Sequence, residues 1–286
     1  MTTYAIASGK GGTGKTTVSV HLARLLVEQG AQVQYLDCDV EEPNGHIFLK
    51  PEIERTEEAT VPVPVIDATR CIACGKCAEV CEFNAIATLK TALVFAELCH
   101  GCGGCALACP VGAIQEQPRS IGVVETGRSG AIGFVQGRLN VGEAMAGPLI
   151  RAVRRAIEPD SISLIDAPPG TACAVVATVR ETDYVILVTE PTPFGLNDLQ
   201  LAVELMRELG RRCGVIINRA VSDHTAVQAY CREEGIPILA EIKDSRKVAE
   251  YYSRGEMMME PASALRTSLL PLATSILQGN PEAHCS

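Results

Sequence analysis

The stretch Tyr4–Thr17, YAIASGKGGTGKTT, reads as a short apolar strand running into a glycine-rich loop. Beyond it, Val20, Leu22, Leu25 and Leu26 recur at helical spacing, and Gly30 marks the helix stop. Strand, loop and helix are the context in which G-x-x-x-x-G-K-[ST] becomes a phosphate site, filled here by Gly9, Gly14, Lys15 and Thr16. Glycines at Gly9, Gly11, Gly12 and Gly14 let backbone amides, including those of Thr13 and Thr17, close around phosphate oxygens. The helix N-terminus adds a favourable dipole. Lys15 is placed to reach the β- and γ-phosphates, and the Thr16 hydroxyl to meet Mg²⁺.

Outward from the loop, near-continuous apolar runs alternate with helical patterns. Strands are expected at Gln32–Asp39, Ser161–Asp166, Tyr184–Thr189, Gly214–Asn218 and Ile236–Ala240. Helices are expected at Asn197–Leu209, Thr225–Glu234 and Ser245–Arg254. This is an α/β pattern: a mostly parallel P-loop sheet with helices on both faces. Ligands in such sheets lie at the carboxyl ends of strands, where Asp37, Asp39, Asp166 and Asn218 fall. Asp166 is the expected Walker B carboxylate, and Asp37 a further candidate for the Mg²⁺ shell. Solvated strand-end acids remain the alternative for Asp37 and Asp39. Gly170 is a turn glycine or a γ-phosphate sensor.

Thirteen cysteines are the compositional anomaly, and eight lie within residues 71–109. Cys71, Cys74, Cys77 and Cys81 form C-x₂-C-x₂-C-x₃-C, and Cys99, Cys102, Cys105 and Cys109 repeat it 28 residues later. Ala85-Ile86 and Ala113-Ile114 recur at the same offset, and Pro110 follows the last cysteine, whereas Glu82 follows Cys81. Paired C-x₂-C units also bind Zn²⁺, but a doubled three-cysteine arc is the run of bacterial two-cluster ferredoxins, in which the fourth cysteine serves the other cluster. One 4Fe–4S cluster then takes Cys71, Cys74, Cys77 and Cys109, the other Cys81, Cys99, Cys102 and Cys105. The segment resembles bacterial ferredoxins over residues 65–118, a small α+β insert, leaving 1–64 and 119–286 as a discontinuous P-loop ATPase domain.

A formal charge of −9 over 286 residues argues against a nucleic-acid binder. No apolar run reaches the length of a membrane span, and MTTYAIASGKGG lacks the features of an export signal, so a cytoplasmic protein without membrane insertion is expected. Residues 41–67 carry seven acids against Lys50 and Arg55 and read as a solvated, semi-rigid lead-in with a Val-Pro-Val-Pro run. Ile121–Leu139 is expected to be a hairpin returning to the ATPase. Cys38, Cys213 and Cys231 read as core residues, and His284 and Cys285 as a disordered tail.

Lys10-Gly11-Gly12-Thr13-Gly14-Lys15-Thr16-Thr17 resembles the deviant Walker A motif of the MinD/ParA/nitrogenase-iron-protein class of ATPases, whose marker is the early lysine, here Lys10. Asp37-Cys38-Asp39 is similar to that class's switch I, and Asp166–Gly170 to its switch II. The resemblance implies a homodimer that sandwiches ATP, with Lys10 contacting phosphate across the interface, Asp39 positioning the attacking water and Asn218 reading adenine. Cys173 has the spacing of a cluster-bridging cysteine in the nitrogenase iron protein. No second cysteine lies between Arg119 and Ile165, so a packed role is favoured for it. Amidotransfer, found near this ATPase core, lacks its glutaminase. The expected cofactors are two 4Fe–4S clusters, ATP/ADP and Mg²⁺, with a redox or iron–sulfur protein as partner. The functions implied are nucleotide-coupled electron transfer, iron–sulfur cluster carriage, or ParA/MinD-like spatial regulation.

Overall fold

The computed structural model describes residues 2–220 and 225–285. In chain order the first elements are β1 (Thr2–Ala7), α1 (Lys15–Glu28), β2 (Val33–Asp37), α2 (Gly45–Leu49), β3 (Glu52–Ile66), α3 (Lys76–Glu79), β4 (Ile86–Thr88), β5 (Ala92–Val94) and α4 (Gly104–Ala108). There follow β6 (Ile114–Ser129), β7 (Ile132–Leu139), α5 (Gly147–Arg155), β8 (Ile162–Asp166), α6 (Cys173–Val179), β9 (Tyr184–Thr189) and α7 (Pro193–Glu208). The chain closes with β10 (Cys213–Ala220), α8 (Thr225–Glu233), β11 (Ile238–Lys243), α9 (Arg246–Ser253) and α10 (Ala264–Leu277).

The apolar strands assemble in the order β11-β10-β9-β1-β8-β2-β7-β6-β3, with the first seven parallel, β6 antiparallel to β7, and β3 antiparallel to β6. Successive side chains feed opposite layers, as strand geometry requires. Tyr4 and Ile6 pack with α1 and α10, whereas Ala5 and Ala7 pack with α5, α6, α7 and α8. Helices therefore cover both faces of the sheet, as the α/β pattern of the sequence leads one to expect. β2 and β8 pair so that Asp37 lies beside Asp166 at the carboxyl edge.

The lead-in at 41–67 is a correction. Its first residues are solvated as expected, but Glu52–Ile66 is a fifteen-residue strand and not a linker, paired with β6 from Glu52↔Arg128 to Ile66↔Ile114. β7 pairs only with Gly122–Ser129 of β6, so the outer halves of β3 and β6 project as a two-stranded ribbon. Proline is tolerated there because β3 is the sheet edge, and Pro62 pairs with Pro118 where β6 also lacks a second neighbour. Both strands run unbroken through 64/65 and 118/119. The expected return hairpin exists as β6–β7, and it begins earlier, at Ile114.

The tail is a second correction. His284 bonds the Ser275 hydroxyl at 2.8 Å and the Leu239 carbonyl at 2.6 Å, fixing it to the sheet. Cys38 and Cys231 are buried and Cys213 is half-buried, but Cys173 is exposed at the start of α6, contrary to the packed role.

Candidate nucleotide site and cysteine cavities

Gly14, at φ 95°, is the N-cap of α1, and no side chain caps that helix. The first-turn amides are left for a ligand, and the glycine is required on two counts. Its φ lies in the left-handed region, and a Cβ there would strike the Asn218 amide. Lys15 points inward, 7% exposed, with its ammonium 3.0 Å from the Ser8 hydroxyl. Burial lowers its pKa, while Asp166 and Asp39 raise it.

Near Lys15, the carboxylates of Asp37, Asp39 and Asp166 lie close enough to influence one another's charge. Asp166 Oδ2 accepts the buried Tyr35 hydroxyl at 2.9 Å, whereas its Oδ1 is buried without a hydrogen-bond partner. Burial pushes this carboxyl up, opposed by the Thr16 hydroxyl, Lys15 and Tyr35. An orphaned carboxylate oxygen beside Thr16 fits a hydrated divalent cation. Asp37 accepts the amides of Asp39, Asn44 and Gly45 at 3.1, 3.1 and 2.9 Å. Its oxygens are thus engaged in holding the switch loop and the start of α2, instead of standing free for a metal. Burial and neighbouring Asp166 push Asp37 well up. Asp39 is half-exposed and raised to about 6 by burial and Asp166, with Lys15 pulling it down.

Gly11, Gly12, Gly14, Lys15, Thr16 and Thr17 line a cleft of about 340 Å³ together with Asp39, Asn218, Asp244 and Tyr252. Asn218 donates to the Thr13 carbonyl at 2.7 Å, which leaves its own carbonyl oxygen for a base. The Gly170 amide differs from the γ-phosphate expectation, because it donates to the Ser8 carbonyl at 3.0 Å. Lys10 pairs within its own chain, 3.6 Å from Glu190, which also bonds Arg219.

At the ribbon's end the eight cysteines divide between two small cavities. Cys71, Cys74, Cys77 and Cys109 line one, against Ile66 and Ile114. Cys81, Cys99, Cys102 and Cys105 line the other, against Pro64 and Glu116. The repeat extends to the backbone. Ala73, Gly75 and Asn84 have positive φ, and so do Gly101, Gly103 and Gly112, each 28 positions on. The Ala85 amide donates to Cys81 Sγ at 3.3 Å and the Ala113 amide to Cys109 Sγ at 3.2 Å. Among the described residues, no three His, Cys, Asp or Glu side chains converge on a single-ion site. Soft thiolates spaced round a cavity, with amides aimed at sulfur, fit a cluster of several irons.

A family model for the CobQ/CobB/MinD/ParA nucleotide-binding domain matches residues 4–258. The chain belongs to this family. It is 35% identical over 206 residues to an uncharacterized protein of Methanocaldococcus jannaschii, covering 71% of this chain and 72% of that one. Among solved structures, the septum site-determining protein MinD of Pyrococcus horikoshii, complexed with Mg-ADP, superposes with a TM-score of 0.61 at 19% identity, covering 97% of each chain. A shorter likeness, 51% over 45 residues, links it to an iron-sulfur cluster carrier protein of Synechocystis, spanning 16% of this chain and 13% of that protein. As in the MinD/ParA family generally, the P-loop cleft is a nucleotide site. Among the described residues no helix is long and apolar enough to cross a membrane.

Sequence reasoning missed Ser8, Tyr35 and Glu190. Tyr35 carried a signal, since a phenol within a fully buried strand needs a polar partner.

Proposed function

We propose that the chain is a Mg²⁺-dependent ATPase whose nucleotide-dependent homodimer closure is coupled to electron transfer through two 4Fe–4S clusters. The observation that carries this reading is the sorting of eight cysteines, four and four, into two cavities at the end of a ribbon that starts behind the switch loop. Each cluster, when bound, supplies a one-electron carrier. Residues 65–118 form the ferredoxin-like insert, and 1–64 with 119–286 the ATPase.

In the ATPase, Lys15 neutralises the β- and γ-phosphates, and Thr16 with Asp166 orders the hydrated Mg²⁺. Asp39 accepts a proton of the attacking water. Lys10 exchanges Glu190 for the partner subunit's phosphates when two copies close. Asp37 ties the strand end to α2, which leads through Lys50 and Pro51 into β3. Movement at the switch loop thus has a hydrogen-bonded path into the ribbon. A path becomes a coupling only when both ends bias the same two-state element.

The likeness to carrier proteins and the exposed Cys173 support a second reading, cluster carriage or maturation with an iron–sulfur protein as partner. Two complete ligand sets favour resident clusters and a redox partner instead. ParA/MinD-like spatial regulation rests on fold alone. Anaerobically purified protein is expected to hold about eight iron and eight acid-labile sulfide per chain, and to dimerise and hydrolyse on Mg-ATP addition. Stoichiometric zinc with little sulfide would overturn the electron-transfer reading while leaving the ATPase standing.

A further inference from the structure

The 28-residue repeat makes the two cysteine cavities near copies, so the positions at which they differ are informative. Amides at equivalent places, Ala85 and Ala113, serve equivalent sulfurs. Three equivalent lining pairs differ: Val111 against Phe83, Ile72 against His100, and Thr88 against Glu116, of which the last sets a hydroxyl against a carboxylate. Thr88 lines the cavity of Cys71, Cys74, Cys77 and Cys109, while Glu116, 28 positions on, lines that of Cys81, Cys99, Cys102 and Cys105. The Thr88 hydroxyl is buried and has no hydrogen-bond partner. The Glu116 carboxylate lies in no ion pair among the described residues, and its Oε1 is 3.6 Å from where a Gly103 Cβ would sit.

Two groups work against the difference: His100 also lines the Glu116 cavity, and Glu79 Oε1 stands 3.9 Å from where a Gly75 Cβ would sit, although Glu79, unlike Glu116, is not part of its cavity's lining. On the Thr88 side, the Arg70 guanidinium donates to the Val111 carbonyl, 2.7 Å, at the cavity wall. On the Glu116 side, Arg119 is neutralised by its paired bonds to Glu143. The Gly101 amide does donate to Cys99 Sγ at 3.4 Å there, but Ala73 plays the matching part for Cys71.

Reduction of a cluster adds one negative charge. A hydroxyl donor turned towards that charge stabilises it, and an ionised carboxylate beside it opposes it. We infer that Thr88 and Glu116 set the two cluster potentials apart, so that a single added electron resides in the Thr88 cavity. This cavity abuts the Ile66–Ile114 rung at the ribbon's tip, whereas the Glu116 cavity lies one same-face step nearer the ATPase. The inference rests on the cluster reading proposed above.

The test is an anaerobic redox titration, followed by electron paramagnetic resonance, of the full iron-loaded chain. Wild type shows two separate one-electron steps. Glu116→Gln raises only the lower step, and Thr88→Val lowers only the higher. The double variant shifts the electron partition about tenfold towards equality, which is 59 mV for one electron. A single unsplit step in wild type, no movement in either variant, or movement of the opposite step overturns the assignment. Protein lacking iron and sulfide after anaerobic purification overturns the cluster reading itself and this assignment with it.

Discussion

Asn218 reaches Thr13 across 205 positions of sequence, and Tyr35 reaches Asp166 across 131. The eight clustered cysteines, by contrast, all fall between residues 71 and 109. The nucleotide site is assembled by a sheet that carries distant strand ends to one edge, over two buried apolar layers. The tip has little to assemble with. Its own core comprises Cys77, Ile86 and Ala92, and Ile72, Leu89 and Leu107 are exposed. One region therefore folds by burying apolar surface and then positions charges. In the other, on the cluster reading proposed above, ligation would supply what a small core cannot.

The largest expected effect separates the two lysines of the loop. Lys15→Ala should abolish nucleotide binding, since Lys15 is the buried cation of its own site. Lys10→Ala should retain binding but lose ATP-dependent dimerisation and on the order of 10³-fold in hydrolysis, the scale of a cation supplied across an interface. Calorimetric nucleotide binding, phosphate release and sedimentation would check both. Hydrolysis and dimerisation of Lys10→Ala at the wild-type level would return Lys10 to its pairing with Glu190 alone.

Next is the contrast in what holds each region. Stripping iron with a chelator under reducing conditions should erase amide-exchange protection at Ile86–Thr88 and Ala92–Val94. Protection in β1, β8 and β9 should stay intact, because their cover is apolar. Loss of protection in both regions together would mean that the ATPase depends on the tip for its stability, and the comparison would fail.

The part of each region legible in the sequence follows from the same contrast. Spacing is local information, so the loop and both cysteine runs could be read directly, and strand-end acids could be placed by the α/β pattern. Register is not local. That Tyr35 would meet Asp166, or that Asp37 would be occupied by the amides of Asn44 and Gly45, depends on β2 lying beside β8. β3 was hidden for another reason. Its first seven residues are exposed, so the alternation that announces a half-buried strand is missing, and its prolines argue for a linker until the edge position is known. The docked tail escaped because His284 finds its partners on distant elements.

Asp39 provides a smaller, titratable effect. Burial and Asp166 raise it to about 6, and the proposed role of accepting a proton from water requires the ionised form. Hydrolysis should therefore fall as pH drops through about 6, approaching tenfold per pH unit well below it. Asp39→Asn should lose hydrolysis at every pH. A raised carboxyl is also costly to the fold when ionised, so Asp39→Asn should melt higher than wild type at pH 7. The gain should vanish as pH falls towards the ordinary carboxyl range. A flat rate between pH 5 and 8 would assign the water to another group.

The smallest expected effect lies in the helix behind the loop. His21 is buried in α1, its Nδ1 2.7 Å from the Thr17 carbonyl and its Nε2 3.1 Å from the Met258 amide. Those partners assign the neutral tautomer, with Nδ1–H donating and Nε2 accepting. Burial lowers its pKa from 6.5 to about 4, outweighing both backbone bonds. Between those values the unfolded chain binds a proton that the folded chain refuses. Stability contributed by neutral His21 is therefore present above pH 6.5 and lost as pH falls towards 4, by up to about 3 kcal/mol. His21→Gln gives up the tight fit and melts lower at pH 7, yet its denaturant midpoint should decline less steeply from pH 6.5 to 4.5. Because the group that titrates sits in the ATPase core, the decline should appear in sheet and helix signals and spare the cluster absorbance. An equal slope in both proteins would place the acid sensitivity elsewhere, with the raised carboxyls Asp37 and Asp166 excluded by sign, since their protonation favours the fold.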